Sequence, residues 1–209
     1  IVIGKFFSAK SLGVYSRADG LAQFPSSNIT SVLQSVTFPV LSTIQDDETR
    51  LADAYKRFLR LSAFIVFPLM VGLSAVADPF IRIVLTDKWE GTIYFLQILC
   101  FGLMWYPIHA INLNLLQVKG RSDYFLKLEV IKKIIGVATL CVTIPLGLEA
   151  MCYGRVFTSV VCLAFNTYYT DKIIGYGFVT QIKDLLHIIG HSFAMYGIVF
   201  VIVHYLPNL

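Results

Sequence analysis

The chain has 209 residues, 56% of them hydrophobic and only 14% charged, with a net charge of +4 and a mean hydropathy of +0.71. A soluble domain carries about 25% charged residues, and a chain this short cannot hide so much apolar surface. A water-soluble fold is therefore excluded in favour of an integral membrane protein. The basic residues are dispersed rather than gathered in one patch, so they offer no footprint for nucleic acid.

A bilayer core takes roughly 20 residues of helix, and uncharged apolar stretches of about that length recur along the chain. Residues 1–8 read as the tail of a helix. The opening Ile1, Val2 and Ile3 follow no charged leader, so the sequence is expected to be a piece of a longer protein. Spans are then expected at 28–44, with Pro39 inside, and at 59–77, with Pro68 inside and Asp78-Pro79 at the far end. The next is 91–118, which lacks any Asp, Glu, Lys or Arg and holds Pro107 in its middle. After it come 130–146, closed by Pro145 and Gly147, then 150–169, carrying Arg155, and 185–206, stopped by Pro207. This predicts an all-α polytopic transmembrane helical bundle of about six spans plus a stub. Barrel strands alternate between apolar and polar, whereas a run such as Ala63-Phe64-Ile65-Val66-Phe67 is apolar on every side.

An interior proline costs a soluble helix about 3 kcal/mol. In a membrane bundle, neighbouring helices and polar side chains re-satisfy the freed carbonyl. Each proline is thus either a harmless kink, or else a hinge or a bend in a cavity wall.

The connections alternate in positive charge. Arg50, Lys56, Arg57 and Arg60 follow the 28–44 span. Lys119, Arg121, Lys127, Lys132 and Lys133 follow 91–118, and Lys172 and Lys183 follow 150–169. The intervening connections hold only Lys10 and Arg17, only Arg82 and Lys88, or no basic residue. Basic loops stay cytoplasmic, which assigns the three rich connections to the inner side. Leu51, Ala54, Tyr55, Phe58 and Leu61 have helical spacing, as expected of a helix end along the inner membrane surface.

Catalytic and metal patterns are missing from the sequence. Cys100, Cys141, Cys152 and Cys162 lie in apolar stretches without a CxxC pair, and read as small core residues. There is no GxxxxGK[ST] phosphate loop. His187 and His191 are four apart, but Ile188 stands where a zinc protease needs glutamate. Gly175-Tyr176-Gly177 reads as a flexible turn, and Asp46-Asp47-Glu48 as a solvated turn opening a helix. The expectation is a non-enzyme with no cofactor and no metal.

Arg155 stands out, because a charge inside a span costs several kcal/mol unless it snorkels, pairs or faces a wet cavity. It either snorkels or pairs with Glu149, or else it offers a cationic contact to an anionic substrate, since its fork donates two hydrogen bonds to phosphate. Asn112, Asn114 and Gln117 fall within two turns of one helix; they either line a sugar path or bond neighbouring helices.

The order of several short motifs carries a resemblance. Gly4-Lys5-Phe6-Phe7, Leu12-Gly13-Val14-Tyr15-Ser16-Arg17-Ala18, Pro25, Phe38-Pro39-Val40-Leu41-Ser42, Gln45-Asp46-Asp47 and Tyr55-Lys56-Arg57 come in succession. Phe67-Pro68-Leu69, Ala77-Asp78-Pro79, Lys88-Trp89 and Lys119-Gly120-Arg121 follow them. Over roughly residues 1–130 this resembles the polysaccharide transporter family of the MOP flippase superfamily, the Wzx-type O-antigen flippases. Where that family often has glycine before the Lys-Trp pair, this chain has Thr86-Asp87.

The resemblance implies that residues 1–209 are a fragment of the C-terminal transmembrane lobe of a MATE-like transporter, with the N-terminal lobe absent. It implies a flippase in the bacterial inner membrane that moves undecaprenyl-diphosphate-linked oligosaccharide across the bilayer for O-antigen, capsule or exopolysaccharide assembly. Its implied partners are that glycolipid, membrane lipids and the polysaccharide polymerase machinery. The substrate-cavity candidates are Arg17, Asn112, Asn114 and Arg155. Two alternatives stay open: a MATE-like exporter of small molecules, which should prefer a hydrophobic or carboxylate-lined cavity, whereas the expected spans hold no central carboxylate, and a membrane polymerase or glycosyltransferase, which needs a catalytic outer loop or a nucleotide-sugar motif.

Overall fold

The computed structural model describes residues 7–205, and among these there is no strand. Most of the expected stub at residues 1–8, the start of the Gly4-Lys5-Phe6-Phe7 motif and Pro207 lie outside the described residues. The helices are α1 (Ala9–Thr43), α2 (Glu48–Ala75), α3 (Ala77–Leu85), α4 (Thr92–Leu103), α5 (Tyr106–Val118), α6 (Ser122–Thr143), α7 (Leu148–Ile174) and α8 (Phe178–Tyr205). Four stretches among the described residues are long and apolar enough to cross a membrane: Glu48–Ala75, Thr92–Val118, Leu148–Ile174 and Phe178–Val203. The chain is an all-α membrane protein.

The other two expected spans, 28–44 and 130–146, coincide with the last parts of α1 and α6, which end at Thr43 and Thr143. Both helices are long, but neither is uniformly apolar. The expected connection carrying Lys10 and Arg17 is not a loop: it is the first half of α1, which runs 35 residues from its Ser8 cap. The many hydroxyl and amide side chains of α1 do not break it. Ser27, Asn28, Thr30 and Ser42 donate to carbonyls four residues back, so their polar atoms are satisfied without water. Likewise Lys132 and Lys133, counted with the basic connection although the 130–146 span includes them, lie inside α6.

Local chemistry sets the helix boundaries. The Asp47 carboxylate caps α2 by accepting from the Arg50 amide at 3.1 Å, and it accepts the Thr49 hydroxyl at 2.8 Å. These donors hold its carboxyl below the usual aspartate range. The α2 cap continues directly into the span, so Leu51, Tyr55 and Leu59 are buried in the bundle, not lying along the membrane surface. α7 ends on Gly175 in the left-handed region at φ 64, its amide bonded to Asp171 O at 2.8 Å. The Gly175-Tyr176-Gly177 turn is thus a built cap.

α4 and α5 pack between α1, α2 and α7; α8 lies on α2, and α6 on α7. The α6–α7 contact needs a glycine. A Cβ at Gly154 would lie 2.8 Å from the Cγ2 atoms of Thr139 and Thr143, so only a missing side chain lets these helices approach so closely.

The 91–118 stretch is not one continuous helix. It is interrupted between Leu103 and Tyr106, with Pro107 in the first turn of α5. Proline has no N–H to give the carbonyl four residues back, which here is Leu103 O. Ser26 of α1 supplies the missing donor at 2.8 Å, and Ser159 of α7 donates to Gly102 O at 3.0 Å. The re-satisfaction expected of a bent span is made by two neighbouring helices.

The connections sort into two ends. Lys119 Nζ donates to Gln45 O at 2.8 Å, and the Lys56 ammonium lies 5.5 Å from the Tyr176 ring centre, so the three lysine- and arginine-rich connections meet at one end. At the other end Lys10, Gly91 and residues 146–149 line a single shallow hollow. Here α3 is braced by Arg82, whose guanidinium reaches Asp78 at 3.0 Å, Asp87 at 2.9 Å and Glu90 at 3.0 Å. The three carboxylates raise its pKa further. The chain leaves α3 through Thr86 at φ 72 and ψ 165, a region populated almost only by glycine. Replacing Thr86 with glycine is expected to stabilise the intact protein by about 1 kcal/mol, read as a higher melting temperature in detergent. An unchanged or lower value would show that this backbone is not strained.

Candidate functional site

The interruption between α4 and α5 opens a cavity of about 410 Å³. Gln34 of α1 lines one side, and Gly102, Leu103, Tyr106 and His109 of the broken span line another. Glu129 and Lys132 come from α6, and Arg155, Thr158 and Ser159 from α7. Arg155 also borders two smaller hollows. One, of about 230 Å³, runs toward Tyr15 and Thr139; the other, of about 130 Å³, runs toward Gln23, Ser26 and Ser27. The half-buried guanidinium of Arg155 thus stands beside the interruption, where three spaces converge.

Arg155 does not pair with Glu149, the partner one turn away that the sequence suggests. Its Nη1 donates to the Asp19 carboxylate and to the Tyr15 hydroxyl at 3.2 Å. Tyr15 and Asp19 sit four apart on α1 and so share a face. The pair is partly shielded, with the Arg155 side chain 35% exposed and that of Asp19 23%. Uncompensated, a charge at this depth would cost several kcal/mol. Across the cavity Lys132 lies 3.4 Å from Glu129, three residues earlier on α6. His109 bridges Asn166 at 2.8 Å and Ser159 at 3.4 Å.

The four expected cavity residues are not brought together. Arg155 is at the cavity. Asn114 is buried behind it and reaches it only through Gln34, whose amide donates to Asn114 Oδ1 at 3.0 Å. Asn112, two positions earlier, faces another side of the helix, as the helical period requires. Its Oδ1 accepts from the Tyr55 hydroxyl at 2.7 Å, the Thr170 hydroxyl at 2.6 Å and Gln181 Nε2 at 3.4 Å, while its Nδ2 donates to Ile108 O at 2.8 Å. That knot ties α2, α5, α7 and α8 together near the basic end. Arg17 is exposed near the opposite end, its guanidinium 5.3 Å from the Trp89 ring centre. Gln117 is exposed as well.

Sequence reasoning missed Tyr15, Asp19, Glu129 and Lys132, because it placed them in connections. It also counted no carboxylate inside the spans, whereas Glu129 lines the cavity and Asp19 holds Arg155. Their spacings, Tyr15 to Asp19 at i, i+4 and Glu129 to Lys132 at i, i+3, were the available signals. Among the described residues no group of histidine, cysteine and carboxylate side chains is placed to hold a metal ion. His187 and His191 instead line a separate apolar groove between α2 and α8.

The cavity therefore offers one guanidinium, one ammonium, amide and imidazole groups and one carboxylate, Glu129, on four helices, with Asp19 bound to Arg155 beside it. That arrangement suits binding and orientation of a polar, charged group. The buried knot, by contrast, has a structural role. Asn112→Leu is expected to destabilise the protein by about 1–2 kcal/mol, through the unpaired Tyr55 hydroxyl, with anion binding at the Arg155 cavity unchanged. A loss of binding without loss of stability would move Asn112 into the binding site.

A family described as "Polysaccharide biosynthesis protein" matches residues 1–94. An uncharacterized membrane protein in the cps region of Klebsiella pneumoniae is 31% identical over 140 residues, covering 66% of this chain and 29% of the relative. The teichuronic acid biosynthesis protein TuaB of Bacillus subtilis is 28% identical over 123 residues, 59% of this chain and 26% of TuaB. The lipopolysaccharide biosynthesis protein WzxC of Escherichia coli is 29% identical over 143 residues, 68% of this chain and 29% of WzxC. The matches span under a third of the length of these curated relatives. No solved structure matches. Residues 1–94 are thus similar to a polysaccharide biosynthesis protein family, and the chain is similar over about two thirds of its length to membrane and polysaccharide-biosynthesis proteins of three bacteria.

Proposed function

We propose that the chain is part of the C-terminal lobe of a flippase that carries a lipid-linked oligosaccharide across the bacterial inner membrane, for capsule, lipopolysaccharide or exopolysaccharide assembly. The observation that carries this reading is the Arg155 cavity: a charged, hydrogen-bonding hollow inside an apolar helical bundle, in a chain whose first 94 residues match a polysaccharide biosynthesis family and whose relatives include proteins named for teichuronic acid and lipopolysaccharide biosynthesis. A glycolipid needs both environments at once, hydrocarbon for its tail and polar side chains for its diphosphate and sugars. The connections rich in lysine and arginine face the cytoplasm under the positive-inside rule, and the cavity opens to alternate sides as one lobe rocks against the other. Undecaprenyl-diphosphate-linked oligosaccharide is the proposed cargo, and the polymerase machinery its downstream partner.

Glu129 at the cavity, with Asp19 beside Arg155, favours a second reading. A carboxylate-bearing cavity is what an exporter of small cationic molecules would use. The two readings separate in the deletion strain of the intact gene. A flippase predicts lipid-linked repeat units accumulating on the cytoplasmic side, with polymer lost; normal polymer and lost efflux of a small cation would select the exporter.

At residue level, Arg155→Ala is expected to reduce polymer output at least about tenfold more than Arg155→Lys, because lysine keeps the charge while alanine removes it. Full output from both variants, measured in the complemented deletion strain, would remove Arg155 from the transport cycle.

A further inference from the structure

Arg155 is not free to meet a cargo. Its Nη1 is engaged by Asp19 and by the Tyr15 hydroxyl, and both partners come from α1, 136 and 140 residues away in the chain. The carboxylate is itself anchored: its Oδ2 accepts from Gln23 Nε2 at 2.7 Å, one turn further along α1. Among the described residues no hydrogen bond is made by Arg155 Nε or Nη2. Half of the guanidinium fork is thus tied to α1, while the rest is available beside the cavity. An incoming diphosphate would find a cation already matched to a charge of this chain.

We propose that Asp19 is an internal counter-ion that competes with the anionic cargo for Arg155. Capture of the cargo's diphosphate then requires Arg155 to leave Asp19, and release of the cargo returns Arg155 to it. This rests on the flippase reading and deepens it at the same site. Three features support competition over a purely structural ion pair. Arg155 borders all three hollows around it, so its side chain has space to swing. Gln23 keeps a hydrogen bond to Asp19 when Arg155 departs, which lowers the cost of opening the pair. The pair also joins α1 to α7, so opening it loosens one helix from another as the cargo binds.

The energetic logic is a population effect. If the closed pair occupies about nine-tenths of the molecules, the apparent Kd for an anion rises about tenfold over that of free Arg155. The competitor thereby keeps the cavity from trapping the cargo it must let go.

The test uses the intact transporter, purified in detergent, with inorganic pyrophosphate as the probe and calorimetry as the readout. Asp19→Asn removes the competing charge but keeps the side-chain shape, and is expected to tighten pyrophosphate binding about tenfold. Asp19→Glu keeps the charge and should bind like wild type. In Asp19→Asn/Arg155→Gln the tightening should vanish. A folded Asp19→Asn protein with unchanged or weaker affinity overturns the proposal, as does tightening that survives the loss of Arg155 or an absence of pyrophosphate binding in every variant. Should Asp19→Asn not be recovered folded, Asp19→Ser is subject to the same two outcomes. Polymer output in the deletion strain is measured separately. Normal output with a tightened anion site would sink the flippase reading and leave the counter-ion; lost output with an unresponsive site would do the reverse.

Discussion

Hydrocarbon offers a backbone amide or carbonyl nothing to bond with, and this one constraint organises the molecule. A chain with this composition must satisfy its peptide groups internally, and among the described residues it does so as helices. Where a helix breaks, a neighbour must supply what the break removes. Pro107 withholds a donor from Leu103 O, and Ser26 provides it from α1. Gly102 O is met in the same way by Ser159 from α7. The bend is therefore held by specific contacts on both sides, and the cavity beside it is a consequence of how the break is repaired.

The same economy applies to charge. Arg155, Asp19, Lys132 and Glu129 are placed so that each cation meets a carboxylate within the bundle. A buried cation without a partner is expensive, and removing either member leaves the other uncompensated. Such pairs are weak as stabilisers but well suited to exchange, because an external anion can take the place of the internal one at modest net cost. Under the proposed flippase function, this links packing to transport. The groups that make the cavity tolerable in the absence of cargo are the ones a charged cargo would have to displace.

Two polar clusters with similar composition play different parts. Asn112, Tyr55, Thr170 and Gln181 are buried and hydrogen-bonded to one another, and they fasten four helices near the basic end. Gln34, Glu129, Lys132 and Arg155 face open space. Residue type does not separate these roles. Which way each side chain points does, and Asn112 and Asn114, two positions apart, point in different directions.

Composition alone carried the class of the protein. An apolar fraction of 56% with few charges leaves no soluble alternative, and the runs of uncharged residues located the helices, because span length follows from bilayer thickness. The alternation of lysine and arginine likewise anticipated which connections share an end. What the sequence could not reveal is what depends on contact between distant segments. Asp19 and Arg155 are separated by 136 residues, and no local spacing announces such a pair. Glu129 and Lys132 read as loop charges because charge is the usual mark of a loop; only the packing of α6 against α5 and α7 turns them inward. Hydropathy is a property of a segment and is legible residue by residue. A binding site is a property of facing surfaces, and those surfaces exist only once the helices have packed.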